Sequence, residues 1–243
     1  MILNPDERLF LHEFCDFRSY PLTESKSLKP QTYKTFVLAS RNQHKVKEIL
    51  DILPELKNQI KTLNDFPAIP EIAETGKTYE ENAVLKAKTV CAILSLPVIA
   101  DDSGLEIESL DWGPGVFSSR FLGETTSYQI KNQEILKKLI NTSVENRKAR
   151  FICAAAAAFP NGKILAAQGK IQGYISEQIR GESGFGYDPI FFLPEYGKTM
   201  AELLEEEKNK ISHRALAFRK LMQLINSSDL TAGRETKQSN FKQ

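Results

Sequence analysis

Apolar residues along the chain follow two kinds of pattern: short β-branched runs, and stripes with helical spacing. The run Thr35–Ser40 is typical of a buried strand. After a polar turn, apolar residues recur at i, i+3, i+4 and i+7, which predicts an amphipathic helix ended by Pro54. The apolar members of this stripe are Val46, Ile49, Leu50 and Leu53.

The next two elements carry the most informative residues. A second amphipathic helix is predicted over Tyr79–Leu94, with Thr78 as its N-cap and Glu81 three residues later, as in a capping box. The apolar run Leu96–Ala100 then predicts a buried strand. We expect this strand to end at the adjacent acids Asp101-Asp102, where a Ser-Gly turn follows.

The second half of the chain predicts further strands and a long final helix. An amphipathic helix is expected over about 125–140, and the alanine-rich run Ala149–Phe159 predicts a closely covered strand. Asn161-Gly162 is a strong hairpin signal, so Lys163–Ile171 is expected to return beside it, with more strand at about 174–179. Strands that alternate with helices early and pair as a hairpin later predict an α/β fold with a mixed sheet. The last helix has its apolar stripe at Ile211, Ala215, Phe218, Met222 and Ile225.

The two ends differ from this central region. Residues 1–34 are expected to form an N-terminal extension and linker, residues 35–226 the main domain, and residues 227–243 a polar, disordered tail. The formal net charge of +1 gives no reason to expect nucleic acid as a partner. No apolar run is long enough for a membrane span, and the three cysteines show no metal or disulfide spacing. A cytoplasmic protein is expected.

Five groups of residues are candidates for chemistry. Asp101-Asp102 at a strand end would need a cation, and a divalent metal is the usual one, although a solvated turn explains them equally well. One of the acids in the segment Glu71–Glu81 could complete the metal shell, unless these are exposed loop acids. The turn Ser40–Lys45 would place backbone N–H groups and Lys45 at a helix N-terminus, which suits phosphate but also describes a capped surface helix.

The remaining candidates lie late in the chain. The loop Gly181–Pro189 has glycines that let the backbone approach a ligand, aromatic faces for a base, and Asp188 as an acceptor for a base N–H. Lys208 and the run Ser212–Arg214 would add a cluster of donors facing that loop, or simply a polar helix face.

Taken together and in order, these motifs resemble the inosine triphosphate pyrophosphatase family over residues 35–226. The matching segments are Ser-Arg-Asn-Gln-His-Lys at 40–45, Glu-Thr-Gly at 74–76, Glu-Asn-Ala at 81–83, Ala-Asp-Asp-Ser-Gly at 100–104, Gly-Pro-Gly at 113–115, Gly-Phe-Gly-Tyr-Asp-Pro at 184–189, Glu-Glu-Lys at 206–208 and Ile-Ser-His-Arg at 211–214. The family commonly has Thr-Gly-Asn where this chain has Ser40-Arg41-Asn42, which removes a glycine and adds a cation beside the expected phosphates.

The resemblance implies roles for individual residues. It implies that Glu74, Asp101 and Asp102 bind Mg²⁺, and that Asp102 is the base that activates water. It also implies an elongated mixed sheet with flanking helices, two lobes around a nucleotide cleft, and a homodimer. The substrate contacts that it implies are Ser40, Arg41, Asn42, Gln43, His44, Lys45, Ser103, Phe185, Gly186, Tyr187, Asp188, Lys208, His213 and Arg214.

The expected activity is Mg²⁺-dependent hydrolysis of non-standard purine nucleoside triphosphates, such as ITP, dITP, XTP and dXTP, to the monophosphate and diphosphate. The bases of these substrates carry an oxo group at C6, where adenine has an amino group. Hydrogen-bond donors placed to meet the oxo group would be mismatched against the amino group of adenine. The alternatives are a pyrophosphatase of modified pyrimidine nucleotides and a nucleotide-binding regulatory module without turnover.

Overall fold

The computed structural model describes residues 35–232, and within them the chain forms one mixed sheet of eight strands with five α-helices. The predicted extension 1–34 and the end of the predicted tail, 233–243, lie outside the described residues. The strands are β1 (Phe36–Leu38), β2 (Ile60–Thr62), β3 (Val98–Ile107), β4 (Gly113–Pro114), β5 (Lys148–Ala158), β6 (Ile164–Ile175), β7 (Phe191–Leu193) and β8 (Lys198–Thr199). The helices are α1 (Gln43–Ile52), α2 (Tyr79–Leu94), α3 (Tyr128–Lys138), α4 (Glu205–Ile211) and α5 (His213–Ala232).

The strand order is β2-β1-β3-β5-β6-β7-β8, with β4 paired to β3. β2 and β3 run parallel to β1, and all later pairings are antiparallel. Parallel neighbours need crossover connections, and the connections after β1 contain α1 and α2. The predicted α/β class with a mixed sheet is therefore confirmed.

Two helical layers cover the two faces of the sheet. α1 and α5 pack with Ile99, Ala155 and Ala157 on one face, and α2 packs with Ala154 and Ala156 on the other. Successive side chains of a strand point to opposite faces, so the alanines of β5 contribute to both layers. Their small size lets helices approach the sheet closely, as the alanine run predicts.

The prediction that a strand ends at Asp101-Asp102 is wrong. β3 continues through both acids and through Ser103-Gly104 to Ile107. The reason is its partner, because β5 pairs with β3 residue by residue from Val98↔Ala158 to Ile107↔Ala149. The acids therefore stand in the middle of a strand, where neighbouring side chains point to opposite faces.

The hairpin at Asn161-Gly162 is confirmed, with Gly162 at a positive φ of 86°. The returning strand β6 is longer than predicted. It runs without a break to Ile175, because its pairing with β5 extends to Lys148↔Tyr174.

The helices lie where the sequence predicts them, with one exception. α2 has the predicted bounds, and the Thr78 hydroxyl accepts from the Glu81 N–H at 3.1 Å, while the Glu81 carboxylate accepts from Lys77 N–H at 2.6 Å. The exception is the last helix, which is divided at Ser212. This residue is extended, with φ −60° and ψ 151°, and its hydroxyl accepts from the Ala215 N–H at 3.1 Å.

The division at Ser212 places His213 and Arg214 at the start of α5, rather than inside a continuous helix. α5 then continues to Ala232, past the predicted domain boundary at residue 226. None of the helices within residues 35–232 has the length and apolar character needed to cross a membrane.

Candidate active site

A cleft of about 950 Å³ collects most of the predicted site residues. This is within the size range of small-molecule sites in proteins. Asp101, Gln43 and His44 do not line it. The predicted residues that do are Ser40, Arg41, Asn42, Lys45, Glu74, Asp102, Ser103, Phe185, Gly186, Tyr187, Asp188, Lys208, His213 and Arg214.

The N-terminus of α1 forms one wall of the cleft. Asn42 is its N-cap, and the Asn42 side-chain oxygen accepts from the Lys45 N–H at 3.2 Å. The Ser40 hydroxyl accepts from the Asn42 N–H at 3.2 Å, which fixes the turn from β1 into the helix. The first N–H groups of a helix carry partial positive charge, so this wall suits an anion.

Arg41 fits the turn without backbone strain. The non-glycine residues with positive φ in the described chain are Ser95, Asp111, Trp112 and Leu122, so position 41 does not need a glycine. The Arg41 guanidinium donates to the Ile69 carbonyl at 2.8 Å. This bond ties the turn to the neighbouring loop.

Gln43 and His44 are exposed on the first turn of α1. The His44 ring stacks on Phe185, with centroids 5.6 Å apart and planes 18° apart. His44 therefore joins the first wall of the cleft to the glycine-rich loop, although it stays outside the cavity itself.

Asp101 and Asp102 point to opposite faces of β3 and have different partners. Asp101 lies 3.1 Å from the Lys45 ammonium and 3.4 Å from the Arg214 Nε, on the face of α1 and α5. Burial by itself would raise the pKa of Asp101, but the charges of Lys45, Arg214 and Lys86 hold it far below its ordinary value. Asp101 is thus an ionised carboxylate already neutralised by protein cations.

Asp102 faces the cleft and α2. Its Oδ2 accepts from the Asn82 amide at 3.0 Å, and its Oδ1 accepts from the Ser103 N–H at 2.9 Å. Burial raises the pKa of the Asp102 carboxyl, and the Lys86 charge and the Asn82 hydrogen bond only partly oppose this. A buried carboxylate with a raised pKa and a fixed orientation is suited to accept a proton.

Glu74 is held between two basic side chains that sequence reasoning missed. The Lys86 ammonium lies 2.5 Å from Glu74 Oε1, and the Arg120 guanidinium lies 3.3 Å from Oε2. Burial alone would raise the pKa of Glu74, but Lys86, Lys45 and Arg120 lower it. Glu74 is therefore an ionised carboxylate that lines the same cleft as Asp102.

The glycine-rich loop is fastened by a buried ion pair. Asp188 Oδ2 accepts from the Lys208 ammonium at 2.6 Å and from the Phe185 N–H at 2.9 Å. Gly184 has a φ of 75°, and a Cβ there would lie 2.3 Å from Asp188 Oδ2. Only glycine allows both this backbone conformation and the close approach of the carboxylate.

The two aromatic residues of the loop have different environments. Phe185 is half-buried, and its ring lies 5.1 Å from the Lys208 ammonium and 5.4 Å from the Arg214 guanidinium. Tyr187 is 4% exposed, meets Tyr128 edge-on, and donates its hydroxyl to the Ser118 carbonyl at 2.7 Å. Both rings were predicted to offer a face to a base, but packing has already engaged Tyr187.

His213 lies at the back of the cleft with a free ring nitrogen. Its ring stacks on Phe151 at 4.7 Å, and its Nδ1 is buried without a hydrogen-bond partner. Burial, together with the charges of Arg214 and Lys208, holds the pKa of His213 well below 6.5, so the ring is neutral at pH 7. An unpaired buried polar atom beside a cleft is what a bound ligand would satisfy.

Arg214 is the centre of a buried network. Its NH1 donates to Glu48 Oε2 at 2.8 Å, and its NH2 donates to the Ser103 hydroxyl at 2.9 Å. Glu48 was missed by sequence reasoning, although it follows Lys45 by three residues and so lies one turn further along the same side of α1. Asn82 offered another signal, as a polar residue on the inward face of α2.

Comparisons with known proteins identify the family of this chain. The Ham1 family matches residues 36–224. A dITP/XTP pyrophosphatase of Bacillus cereus is 48% identical over 197 residues, which cover 80% of this chain and 96% of the relative. The match confirms the resemblance seen in the motifs.

Solved structures give the same result. The Staphylococcus aureus Ham1 protein aligns with a TM-score of 0.72 and 38% identity, over 80% of this chain and all of that one (100%). A HAM1 protein from Coxiella burnetii aligns with a TM-score of 0.71 and 40% identity, over 79% of this chain and 98% of that one. A family match over most of the described residues, a relative at nearly half identity and the shared fold together establish that this chain belongs to the Ham1 family.

Proposed function

We propose that this protein hydrolyses non-standard purine nucleoside triphosphates, of the ITP, dITP, XTP and dXTP type, to the monophosphate and diphosphate. The observation that carries the proposal is a single cleft with two chemically distinct parts. One part has the α1 N-terminus, Lys45 and the carboxylates Glu74 and Asp102, and the other has Phe185 and His213. The name of the Bacillus cereus relative, a dITP/XTP pyrophosphatase, supports the same reaction.

We propose Mg²⁺ as the cofactor, with Glu74 and Asp102 as its protein ligands. In residues 35–232, no group of three or more histidine, cysteine, aspartate and glutamate side chains could hold a metal by itself. Two cleft carboxylates still fit, since Mg²⁺ is usually held by one or two carboxylates together with substrate phosphates. Asp101 is left out of the set because it does not line the cleft and points to the opposite face of β3, where it contacts Lys45 and Arg214.

In the proposed reaction, Asp102 accepts a proton from the attacking water, which forms a bond to the α-phosphorus. The bond from that phosphorus to the bridging oxygen breaks, and diphosphate leaves. Mg²⁺, when bound, neutralises charge on the phosphate oxygens. Burial by itself raises the pKa of Asp102, and the hydrogen bonds from Asn82 and from the Ser103 N–H orient the carboxylate.

The phosphate chain is proposed to lie against the α1 N-terminus and Lys45. Lys45 is the cation that follows the turn, and its side chain is 20% exposed at the cleft. Burial disfavours the charged form, but the Asp101 charge raises the pKa of Lys45, so the ammonium is retained in the cleft. Fixed positive charge aimed at the phosphates stabilises the transition state without reorganisation.

The base is proposed to lie beside Phe185, with its 6-oxo group toward His213. Arg214 donates to Asp101, Glu48 and Ser103, so its donors are largely committed within the protein. His213 is neutral and keeps one ring nitrogen without a partner. A neutral imidazole is able to donate one hydrogen bond to an oxo group, whereas the amino group of adenine would oppose that donor.

The test is base selectivity. ITP, dITP and XTP are expected to exceed ATP by about a hundredfold in kcat/KM, because two unpaired polar groups at 1.4 kcal/mol each, within the ~1–3 kcal/mol range, supply that ratio. A similar ratio is expected against GTP for a different reason, because guanine keeps the 6-oxo group and adds a 2-amino group that must be rejected near C2. Initial rates of diphosphate release would be measured for ITP, XTP, GTP, ATP and dUTP at one Mg²⁺ concentration. Comparable rates with ATP would contradict the proposal.

The same panel decides between the alternatives. A preference for dUTP or a methylated pyrimidine nucleotide would assign the protein to the pyrimidine class. Tight binding of nucleotides without diphosphate release would indicate a regulatory module. The cleft carboxylates Glu74 and Asp102 argue against that last reading, because anion binding alone does not need acids beside the phosphates.

We also propose a cytoplasmic homodimer, as the family resemblance implies. The segment between β3 and α3 exposes three large apolar side chains, Trp112, Phe117 and Leu122, and exposed apolar groups often mark interaction surfaces. The buried cysteines Cys91 and Cys153 are free thiols, which fits a reducing compartment. Light scattering of the full chain is expected to give twice the mass of one chain, and the mass of a single chain would contradict the dimer.

A further inference from the structure

Helix α2 connects the two cleft carboxylates. Asn82 and Lys86 are four residues apart, so they lie one turn apart on the same face of this helix. Asn82 donates to Asp102 Oδ2 at 3.0 Å, and Lys86 donates to Glu74 Oε1 at 2.5 Å. Asp102 and Glu74 are therefore held by adjacent turns of one element.

The Lys86 ammonium is well placed to act on both acids. Its side chain is only 12% exposed, which strengthens its electrostatic interactions relative to a surface lysine. Among the charges that lower the pKa of Glu74 and of Asp102, Lys86 is the leading one in each case. The other Glu74 oxygen is taken by Arg120 at 3.3 Å.

We propose that Lys86 takes the place of the divalent cation in the metal-free enzyme, so that metal binding exchanges one cation for another between Glu74 and Asp102. This inference rests on the proposed magnesium site. Lys86 itself lines the cleft, and its flexible four-carbon stem lets the displaced ammonium remain there. The exchange keeps the acids neutralised before the metal arrives and weakens metal binding in the absence of substrate.

The experiment measures metal affinity directly. Binding of Mn²⁺ to the full chain, without nucleotide, would be followed by the loss of the EPR signal of the free ion. Lys86→Met is expected to bind Mn²⁺ about tenfold more tightly than the wild type, because a competing unit charge in contact with a ligand is removed. Lys88→Met, an exposed position on the same helix, removes the same charge and is expected to leave the affinity unchanged.

Two further variants make the result specific. Lys86→Arg keeps the charge and is expected to bind Mn²⁺ as weakly as the wild type. Adding Glu74→Gln to Lys86→Met is expected to abolish the gain, because it removes a ligand. Circular dichroism spectra of all variants would show that each is folded.

The outcomes separate this inference from the proposed function. Equal or weaker Mn²⁺ binding by Lys86→Met would overturn the role of Lys86. No binding by any variant would also overturn it, because the metal would then arrive only with the nucleotide. Failure of the proposed function would instead appear as the absence of diphosphate release from ITP, whatever the Mn²⁺ affinities are.

Discussion

Asp102→Asn is expected to lower kcat for ITP by about a thousandfold, within the ~10²–10⁴-fold contribution of a general base. The amide has nearly the same shape, but it cannot accept the proton of the attacking water. It is also a poorer ligand for Mg²⁺. The side chain keeps its place on β3, because pairing with β5 holds the backbone on both sides of it.

The same substitution should have a small effect on stability. The carboxylate accepts from Asn82 through one oxygen and from the Ser103 N–H through the other. An amide has a single oxygen, so one of these bonds is lost at a cost of about 1 kcal/mol. Thermal unfolding is therefore expected to show a native-like transition at a slightly lower temperature.

Diphosphate release at saturating Mg²⁺ measures the effect on catalysis. Asp111→Asn is the matched control, since Asp111 is exposed, does not line the cleft, and has a φ of 51° that asparagine tolerates well. The control is expected to keep the wild-type rate. If Asp102→Asn kept half of the wild-type rate, Asp102 would not be the base.

Much of the fold could be predicted because local signals and tertiary packing agree. The bounds of α2, its Thr78 cap and the turn at Asn161-Gly162 follow from short-range rules. The division of the last helix at Ser212 was missed, because an apolar stripe with helical spacing continues across it. The stripe describes which residues are buried, but a serine that accepts from the N–H three residues later can start a new helix within it.

Some features of the candidate site could be predicted from the sequence, and others could not. Most of the residues that motif order singled out line the cleft. It could not show that Asp101 and Asp102 face different layers, because that depends on β3 continuing alongside β5. It also could not identify Glu48 and Lys86, whose importance comes from the distant residues that they contact, Arg214 and Glu74.

Arg214→Met is expected to destabilise the protein by about 3–5 kcal/mol, the usual cost of removing one partner from a buried ion pair. Arg214 is 2% exposed and contacts two buried carboxylates, Asp101 and Glu48. Methionine fills part of the space but offers no charge. Lys45 remains in contact with Asp101, and Lys208 remains in contact with Glu48. The substitution therefore weakens the network, but each acid keeps one cation beside it.

Urea unfolding monitored by fluorescence or circular dichroism measures the change. Arg219→Met is the control on the same helix, because Arg219 is exposed and donates only to main-chain carbonyls, those of Asn209 and Lys210. It is expected to cost less than about 1 kcal/mol. An equal, small loss in both variants would show that the buried network does not stabilise the fold.

The pH dependence of this loss identifies its cause. In the wild type the pKa of Asp101 is far below that of the unfolded chain, so its contribution to stability is complete at pH 7 and is lost only in strong acid. Without Arg214, the pKa of Asp101 rises toward its ordinary value, although Lys45 still lowers it, so the folded variant takes up a proton at a higher pH than the wild type. The difference in unfolding free energy between wild type and variant is therefore expected to be smaller at about pH 3 than at pH 7. A difference that does not change with pH would mean that lost packing, rather than an unpaired carboxylate, accounts for the destabilisation.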